Sequence, residues 1–456
     1  MIHRSLIAAT VFALCASATG ATDLLQVWEA ASRHDPQGAV TEAARAAGAS
    51  RREQAAALWR PSVGLSASAG WAGGETRMNG AQFSAPAFGT SSGVSFGTSV
   101  NGGTATRWTL GARQPLYNAE RSAQSRQLEL AADAAELEAQ AMRQDWMLQT
   151  AQRYFDLVLA ERRLALLRRQ QAAVEQALAE ARDRYEIGDA PITDIHEAAA
   201  RARALQAQAV AAADEHELAL GALADSTGLG PGQLGLLAPS AQLPAGELGP
   251  LEHWLAQAGQ DSPMIRLLQA QLDVAQAETR KYQATASATL DLVAQAARER
   301  LGGAGDHGSA SSSQSQQMVG VALNVPIYTG GWRSAKLDES LRLEDKARAE
   351  LERGRLQLGQ MTRAAWLAQH SGQARLTALE QALVASRARL DATRLGRQVG
   401  DRTTLDLLNA ENDASAAELV LLQGRSDILL SRLRLDALSG QLDTGSLQAV
   451  NACLQP

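Results

Sequence analysis

Two stretches of this sequence carry polar residues at the same spacing, 212 residues apart. Each has a Gly-Asp pair, a second Asp six residues after the Gly and an Ala four residues further on: Gly188, Asp194 and Ala198, then Gly400, Asp406 and Ala410. A Gly of this kind supplies the left-handed backbone that ends a helix. An acid early in the next helix can cap that helix or pair with a cation. The repeat therefore predicts the same helix-to-helix turn twice, with a carboxylate at each.

Metal binding or acid–base catalysis is the other chemistry that these residues suggest. His196 stands beside Asp194 and Glu197, but the seven histidines are scattered along the chain. No HExxH motif, cysteine cluster or P-loop accompanies them, and such chemistry usually carries patterns of this kind. We therefore expect no enzyme, no metal site and no cofactor, with His196 a solvated helix residue.

The segments around these turns have the pattern of long helices. Residues 119–186 contain neither Pro nor Gly, which predicts one helix of roughly 100 Å at about 1.5 Å per residue. Residues 333–398 form its repeat, and the chain returns through 194–228 and 405–440. Apolar residues at heptad spacing run along both long segments, which is typical of a coiled coil. Each half is thus predicted to contain an antiparallel helical hairpin whose tip is the repeated turn.

Other segments repeat as well. LLQVWEAASRHDP at 24–36 is similar to LEHWLAQAGQDSP at 251–263, with Trp28 matching Trp254. The Gly- and Pro-rich segment 229–250 has no sustained periodicity and is predicted to link the two halves. The sequence therefore favours a tandem duplication, with a first repeat at 21–228, a second at 251–441 and a tail at 442–456.

Each half also contains two stretches in which apolar and polar residues alternate, the pattern of β-strands. They lie at 62–72, 104–117, 286–298 and 317–328. Two Gly- and Ser-rich segments, 73–103 and 301–316, are predicted to be the long loops of an outer-membrane barrel. A soluble sandwich would alternate similarly. However, Arg107, Arg113 and Asp291 lie on the polar face and suit a wet lumen better than a dry core.

Four strands cannot close a barrel, and lipid does not tolerate open sheet edges. Several copies must therefore contribute, and three copies would give twelve strands, an even number in the known range. The predicted fold class is an α+β membrane protein: a four-stranded share of a trimeric barrel, continued by the helical hairpins. Trp71, Trp108, Tyr117 and Tyr328 are predicted to lie at the membrane interfaces of that barrel, although the tyrosines would equally suit packing at a strand-to-helix junction.

Residues 1–20 have the parts of a secretory signal peptide: a positive start, a short apolar stretch and a small-residue cleavage site. Cys15 suggests a lipoprotein, but the bulky Leu14 before it argues against lipid attachment. No apolar run of about 18 residues follows, and the net charge of −6 gives no sign of nucleic-acid binding. The chain is therefore expected to be exported and to meet a membrane, if at all, through its strands.

The paired strands, the hairpins and the tips GDAPITD (188–194) and GDRTTLD (400–406), together with VPIYTGG (325–331), resemble the TolC family of outer-membrane channel-tunnels. The resemblance covers essentially the whole mature chain. It implies a homotrimer in the outer membrane of a Gram-negative bacterium, with a twelve-stranded barrel and a helical tunnel in the periplasm. It also implies contact with outer-membrane lipid, a periplasmic adaptor and an inner-membrane ABC or proton-driven transporter.

The resemblance further implies a gate at the hairpin tips, held shut by polar links between neighbouring hairpins. Thr193 and Asp194 match one side of these links and Arg402 the other, so Arg402 to Asp194 is the expected link. Asp406 matches an acid in a ring that narrows the tunnel entrance, although its spacing from Thr403 fits a capping box as well.

Two positions depart from the family pattern. Asn409 stands where the ring has its second acid, and Arg397 stands where the pattern has a Tyr that joins the gate links. Tyr185 is expected beside the gate, and the adaptor is expected to dock at the tips near Gly188 and Gly400.

Three functions from different classes fit these features. The first is the exit duct of a tripartite export system, which passes a protein toxin by type I secretion or, as the alternative, serves as a multidrug efflux duct. A general porin is disfavoured because porins lack long helical hairpins, and a structural or adhesive coiled-coil protein is disfavoured by the amphipathic strands. Secretion is slightly favoured because the sequence lacks the lipid-attachment Cys that is common in dedicated drug-efflux channels of this family.

Overall fold

The computed structural model describes residues 22–87, 89–189, 191–230, 236–240, 248–283, 288–305 and 308–455. The predicted signal peptide at 1–20 lies outside these ranges, as do 231–235 and 241–247 of the predicted linker. The chain divides into two compact units, the first made of Met1–Arg45, Glu136–Leu268 and Leu351–Pro456, the second of Ala46–Ala135 and Gln269–Glu350.

Long helices and a sheet make up the described structure. The helices are α1 (Leu24–His34), α2 (Pro36–Ala57), α3 (Ala119–Glu186), α4 (Ile192–Thr227), α5 (Leu251–Asp261), α6 (Pro263–Gln283), α7 (Trp332–Gln398), α8 (Thr404–Leu438) and α9 (Thr444–Asn451). The strands are β1 (Ser62–Ala85), β2 (Gly89–Asn118), β3 (Ala238–Pro239), β4 (Thr289–Gly305), β5 (Gly308–Asn324) and β6 (Leu454–Gln455).

The long helices lie where the sequence predicts them. α3 has 68 residues and α7 has 67, because the Ala, Leu, Gln, Arg and Glu that dominate both segments are good helix formers. Heptad positions of both helices are buried, among them Leu157, Leu164, Val174, Leu376 and Leu383. None of the helices in the described ranges has the length and hydropathy of a membrane-spanning helix.

The largest core of the first unit surrounds the middle of α3. Tyr154 and Phe155 of α3 are fully buried there, together with Leu24 of α1 and Leu433 of α8. Burying a large apolar side chain of this kind stabilises a fold by roughly 1.5–3 kcal/mol. Trp28 of α1 completes the cluster, and so the first of the two matched tryptophans of the sequence is a core residue.

Part of the predicted linker is folded onto this core. The Tyr154 hydroxyl donates a hydrogen bond to the carbonyl oxygen of Leu237 at 2.8 Å and accepts one from its amide at 3.0 Å. Burial raises the pKa of this phenol. β3 lies in the linker and pairs with β6 in the C-terminal tail. The sequence does not indicate this pairing, because two-residue strands have no detectable period.

The second unit contains a four-stranded antiparallel sheet in the order β1-β2-β4-β5. Its strands are much longer than predicted. Most of 73–103 continues the pairing of β1 with β2, and most of 301–316 continues the pairing of β4 with β5. The prediction that these two segments are loops is wrong. Backbone groups alone build the ladder, so Gly and Ser continue it after the apolar alternation has stopped.

The predicted strand limits also shift near the helices. β4 begins at Thr289 rather than at 286, and residues 284–287 lie outside the described ranges. β5 ends at Asn324, before Pro326, because proline has no amide hydrogen to donate to a strand ladder. Tyr328 therefore follows the strand and is strongly exposed, whereas Tyr117 lies within β2.

One turn of the first unit gives a test of the packing. Gly440 has φ +75° and follows α8, and a Cβ there would lie 2.4 Å from the carbonyl oxygen of Asp261. We expect Gly440→Ala to lower the free energy of unfolding by about 2–4 kcal/mol, from left-handed backbone strain and from the clash. Gly359→Ala is the control, since Gly359 lies in α7 beside open space and Ala there should stabilise by up to about 1 kcal/mol. Thermal unfolding followed by circular dichroism measures both, and an unchanged melting curve for Gly440→Ala would contradict the assigned geometry.

Candidate functional site at the hairpin tips

The repeated motif forms the same turn twice, as the sequence predicts. Gly188 has φ +77° and Gly400 has φ +82°. In the first tip the amides of Gly188 and Asp189 donate to the carbonyl oxygens of Tyr185 and Arg184, at 3.0 and 2.8 Å. In the second tip the amides of Gly400 and Asp401 donate to those of Arg397 and Gly396, at 3.1 and 2.8 Å. This is the Schellman arrangement, which needs a left-handed residue after the helix and explains the Gly in each motif.

The two returning helices begin differently. Thr403 caps α8 in a complete capping box: its hydroxyl accepts from the Asp406 amide at 3.1 Å, and the Asp406 carboxylate accepts from the Thr403 amide at 3.0 Å. Pro191 occupies the same position before α4 and makes no side-chain capping bond. The capping role of Asp406 is thus confirmed, while its place in an acidic ring stays a prediction.

The capping bonds also set the charge state of Asp406. The Thr403 amide and hydroxyl hold the pKa of the Asp406 carboxyl below its usual range, helped by Arg402 and Arg389 nearby. Because the pKa is lowered, the capping bonds of the ionised carboxylate stabilise the fold at neutral pH, and this stabilisation is lost as the pH falls through the lowered pKa. Among the described residues, the Asp194 carboxylate has no comparable bonds beyond a contact of 3.5 Å with the Thr193 hydroxyl, and it remains exposed.

Within one chain the two tips lie beside each other. Asp194 and Glu180 from the first hairpin and Thr403 from the second line one small cavity of about 130 Å³. Arg402 is exposed, and its stem lies over Gly396 at the end of α7. In the described part of the single chain, Arg402 and Asp194 form no ion pair. The predicted Arg402–Asp194 link between neighbouring hairpins therefore stays a prediction.

A different link joins the hairpins within the chain. Arg397 of α7 forms a hydrogen-bonded ion pair with Glu180 of α3, and both side chains are partly shielded from water. Arg397 is one of the two departures from the family pattern, and this partner gives it a role beside the tip. The sequence gives one indication of the pair, since the two residues have opposite charges and both lie near the end of a long helix. Glu180 is eight residues before Gly188, and Arg397 is three residues before Gly400.

Among the residues that the structure describes, the other predicted site residues near the tips form no ion pair of this kind. Tyr185 and Asn409 are exposed on α3 and α8. His196 is exposed as well, as a solvated helix residue would be. Among the described residues, no group of three or more His, Cys, Asp or Glu side chains is arranged to hold a metal ion.

Sequence reasoning missed a cluster of charges further from the tips. Glu418 of α8 lies within 4.0 Å of three guanidinium groups: Arg162 and Arg169 of α3 and Arg387 of α7. Burial raises the pKa of the Glu418 carboxyl, but the three arginines outweigh burial and leave it lowered. One carboxylate therefore joins three of the four long helices.

This cluster predicts a pH dependence that one variant tests. Because the pKa of Glu418 is lowered, its stabilising effect is present above its ordinary pKa of 4.5 and is lost as the pH falls through the lowered value. We expect Glu418→Gln to melt at a lower temperature than the parent at neutral pH. The two melting curves should approach each other in acid, and a gap that persists there would contradict the assignment.

The predicted interface aromatics lie on exposed surface. Trp71, Trp108 and Tyr117 are each more than half exposed on the sheet, and Tyr328 follows it at 86% exposure. Packing at a strand-to-helix junction is instead seen for Trp332, whose ring meets the edge of Tyr282 at 5.9 Å.

Comparison with known proteins places these features in a family. A sequence profile of outer membrane efflux proteins matches residues 27–229 and 254–441 of the chain. The chain belongs to the outer membrane efflux protein family. The two matched blocks contain the two hairpins, and the family is that of TolC-like outer-membrane channels. Membership places this efflux-family chain in the outer membrane of a Gram-negative bacterium.

The curated relatives of this efflux-family chain include proteins named for efflux and proteins named for secretion. Outer membrane efflux protein BepC of Brucella suis is 27% identical over 67% of this chain. The match covers 65% of the length of BepC, just under two thirds. The alkaline protease secretion protein AprF of Pseudomonas aeruginosa is 26% identical over 75% of this chain and 71% of its own. Outer membrane protein TolC of Escherichia coli is 26% identical over 96% of this chain and 86% of the length of TolC.

A solved structure shows the same fold. The CmeC outer membrane channel of Campylobacter jejuni has a TM-score of 0.71 at 14% identity, over 95% of this chain and 90% of that chain. The long helices and the sheet of this chain therefore share the fold of that protein.

Proposed function

We propose that this protein is the outer-membrane exit duct of a tripartite export system. The observation that carries the proposal is the pairing of two features in one chain: an open four-stranded sheet with an apolar face, and two helical hairpins with the same tip. The free edges of β1 and β5 call for further copies, because lipid offers no hydrogen bonds to an open edge. Three copies give a twelve-stranded barrel, with the hairpins as a periplasmic tunnel.

The tips act as the gate of this duct. Arg402 of one hairpin pairs with Asp194 of a neighbouring hairpin, and Arg397 with Glu180 fixes the two hairpins of each chain together. Exposed ion pairs stabilise by roughly 0–1 kcal/mol each. Three copies thus hold the gate with a few kcal/mol in total, little enough for a docking partner to open it.

The partners are a periplasmic adaptor and an inner-membrane transporter of the ABC or proton-driven class. The adaptor docks near Gly188 and Gly400, breaks the links and lets the helices move apart. The sequence has no P-loop, and the transporter supplies the energy. Cargo then passes through the lumen passively.

A secreted protein, exported by type I secretion, is the favoured cargo. A secretion protein, AprF, is among the relatives that align over more than two thirds of both chains. A multidrug efflux duct is the second candidate, favoured by the similarity to an efflux protein, BepC. A general porin is the weakest candidate, because porins lack long helical hairpins such as those formed by α3, α4, α7 and α8.

Deletion of the gene, with complementation from a plasmid, separates these candidates. Loss of one secreted polypeptide with unchanged drug tolerance is the result expected for type I secretion. Hypersensitivity to many unrelated compounds with a normal secretome would identify the efflux duct instead. No change in secretion or tolerance would contradict the export function as a whole.

A further inference from the structure

The arginines of the sheet divide between its two faces, and only one set has acidic partners. The described strands β1, β2, β4 and β5 contain five arginines and three acidic residues, Glu75, Asp291 and Glu299. Each acid is already paired: Glu75 with Arg77, Asp291 with Arg113 and Glu299 with Arg107. The remaining arginines, Arg298 and Arg300, have no acidic side chain left to pair with in the described strands.

The register places these two arginines on the apolar face. Residues directly opposite in an antiparallel pair share a face, and Trp108 lies opposite Arg298 while Thr106 lies opposite Arg300. Arg107 and its partner Glu299 are opposite each other on the polar face. No register shift interrupts the pairing of β2 with β4 along these rows.

Along the sheet, the arginines mark one end of the apolar band. The rows between Tyr117 and Trp108 carry exposed apolar side chains on all four strands, among them Leu65, Leu110, Leu292, Val319, Val321 and Leu323. On β4 these rows run from Leu290 to Arg298, a rise of roughly 27 Å at about 3.4 Å per residue. That is close to the apolar band of about 25 Å with aromatic girdles that outer-membrane barrels present to lipid. Beyond it, the partners of Arg298 and Arg300 on β5 are Ser315 and Ser313.

The arginine rows lie away from the strand-to-helix junction of β2. β2 runs from these rows to Asn118 and continues directly into α3, so the arginine rows lie at the other end of the paired strands from that junction. On the proposed function, which this inference requires, the hairpins are periplasmic and the arginine rows meet the outer leaflet.

We propose that Arg298 and Arg300 bind the phosphate groups of phosphorylated lipids in the outer leaflet. Guanidinium groups bind phosphate through paired hydrogen bonds, and a site at the end of the apolar band places them at the depth of lipid headgroups. A neighbouring copy cannot supply the missing acid from its described strands, since Glu75 of β1 is already paired and the other two acids lie on inner strand β4. The described strands therefore leave these two guanidinium groups available to a lipid phosphate.

The test is lipid binding to the purified full-length protein in dodecyl maltoside, followed by native mass spectrometry. Phosphatidic acid is the probe, and phosphatidylcholine is the control lipid. Arg298→Gln/Arg300→Gln should bind phosphatidic acid roughly tenfold more weakly than the parent, and Arg298→Lys/Arg300→Lys should retain part of the binding. The matched control is Arg107→Gln/Glu299→Gln, which removes an ion pair from the opposite face and should bind like the parent.

Each outcome decides the proposal. Equal binding by the parent and the double Gln variant would overturn it, as would an equal loss in the Arg107/Glu299 control. Displacement of phosphatidic acid by excess inorganic phosphate would show a site for free phosphate rather than for lipid. Export is measured separately in cells, so a chain that binds phosphatidic acid through these arginines but exports nothing would overturn the proposed function, and the measured binding would not be affected.

Discussion

Replacing Arg402 by Ala is expected to open the channel at rest. In planar lipid bilayers, the purified variant should leak current. The fraction of channels that are open should rise by up to roughly 100-fold, because three exposed links of up to about 1 kcal/mol each would be lost together. Arg402 forms no ion pair in the described part of a single chain, and its surroundings at the tip leave it free to reach a neighbouring hairpin. The measurement is single-channel current at fixed voltage.

Arg163→Ala is the control for this leak. Arg163 pairs with Glu215 across the first hairpin at 2.6 Å, far along α3 from the tip, so its loss removes an ion pair of the same type without touching the gate. A leak of the same size in both variants would point to general loosening of the helices. An Arg402→Ala channel that is as tightly closed as the parent would overturn the gate assignment of Arg402.

Reversing the charge at Arg397 is expected to have the largest effect on the gate. Arg397→Glu places a carboxylate against Glu180, so that a hydrogen-bonded attraction between α7 and α3 becomes a repulsion. Each copy then loses about 1 kcal/mol of attraction and gains a repulsion of similar size, which exceeds the loss at Arg402. We expect a leak greater than that of Arg402→Ala, together with a lower melting temperature.

The swapped pair is the control for this reversal. Glu180→Arg/Arg397→Glu restores opposite charges at the same two positions and should return most of the closure, the signature of direct coupling in a double-mutant cycle. If the swap leaks as much as Arg397→Glu alone, then Glu180 is not the partner that matters in the assembled protein.

The sequence predicts the helical part of this fold well. The run from 119 to 186 without Pro or Gly becomes α3 with the same limits, and Gly188 and Gly400 end the long helices with positive φ. These features are local: helix propensity and the left-handed turn depend on residues a few positions apart, and so they can be detected without knowledge of the tertiary structure.

The full length of the strands is not predictable from the sequence. Residues 73–103 are rich in Gly and Ser and have no sustained alternation of apolar and polar residues, yet most of this segment continues the ladder between β1 and β2. Strand length is set by pairing with a distant segment, and composition does not record that pairing. The same holds for β3 and β6, which pair although nearly half of the chain separates them.

At the tips, the sequence indicated the residues but not all of their partners. Thr403 and Asp406 form the capping box that their spacing predicts, because its two members are neighbours. Glu180 was not identified as the partner of Arg397, and the three arginines around Glu418 were missed. Contacts between hairpins depend on the rotation of each helix about its axis, which heptad spacing indicates only approximately.

The most direct test of an export duct gated at its tips is to lock those tips in living cells. Asp194→Cys/Arg402→Cys adds two exposed thiols to the chain, and a short bismaleimide can join them. Cys453 is buried, and burial raises the pKa of its thiol, so it should react little. We expect cross-linking to stop export, while the single Cys variants, treated in the same way, continue to export. Export that continues at the parent's rate through cross-linked protein would contradict a gate at the hairpin tips.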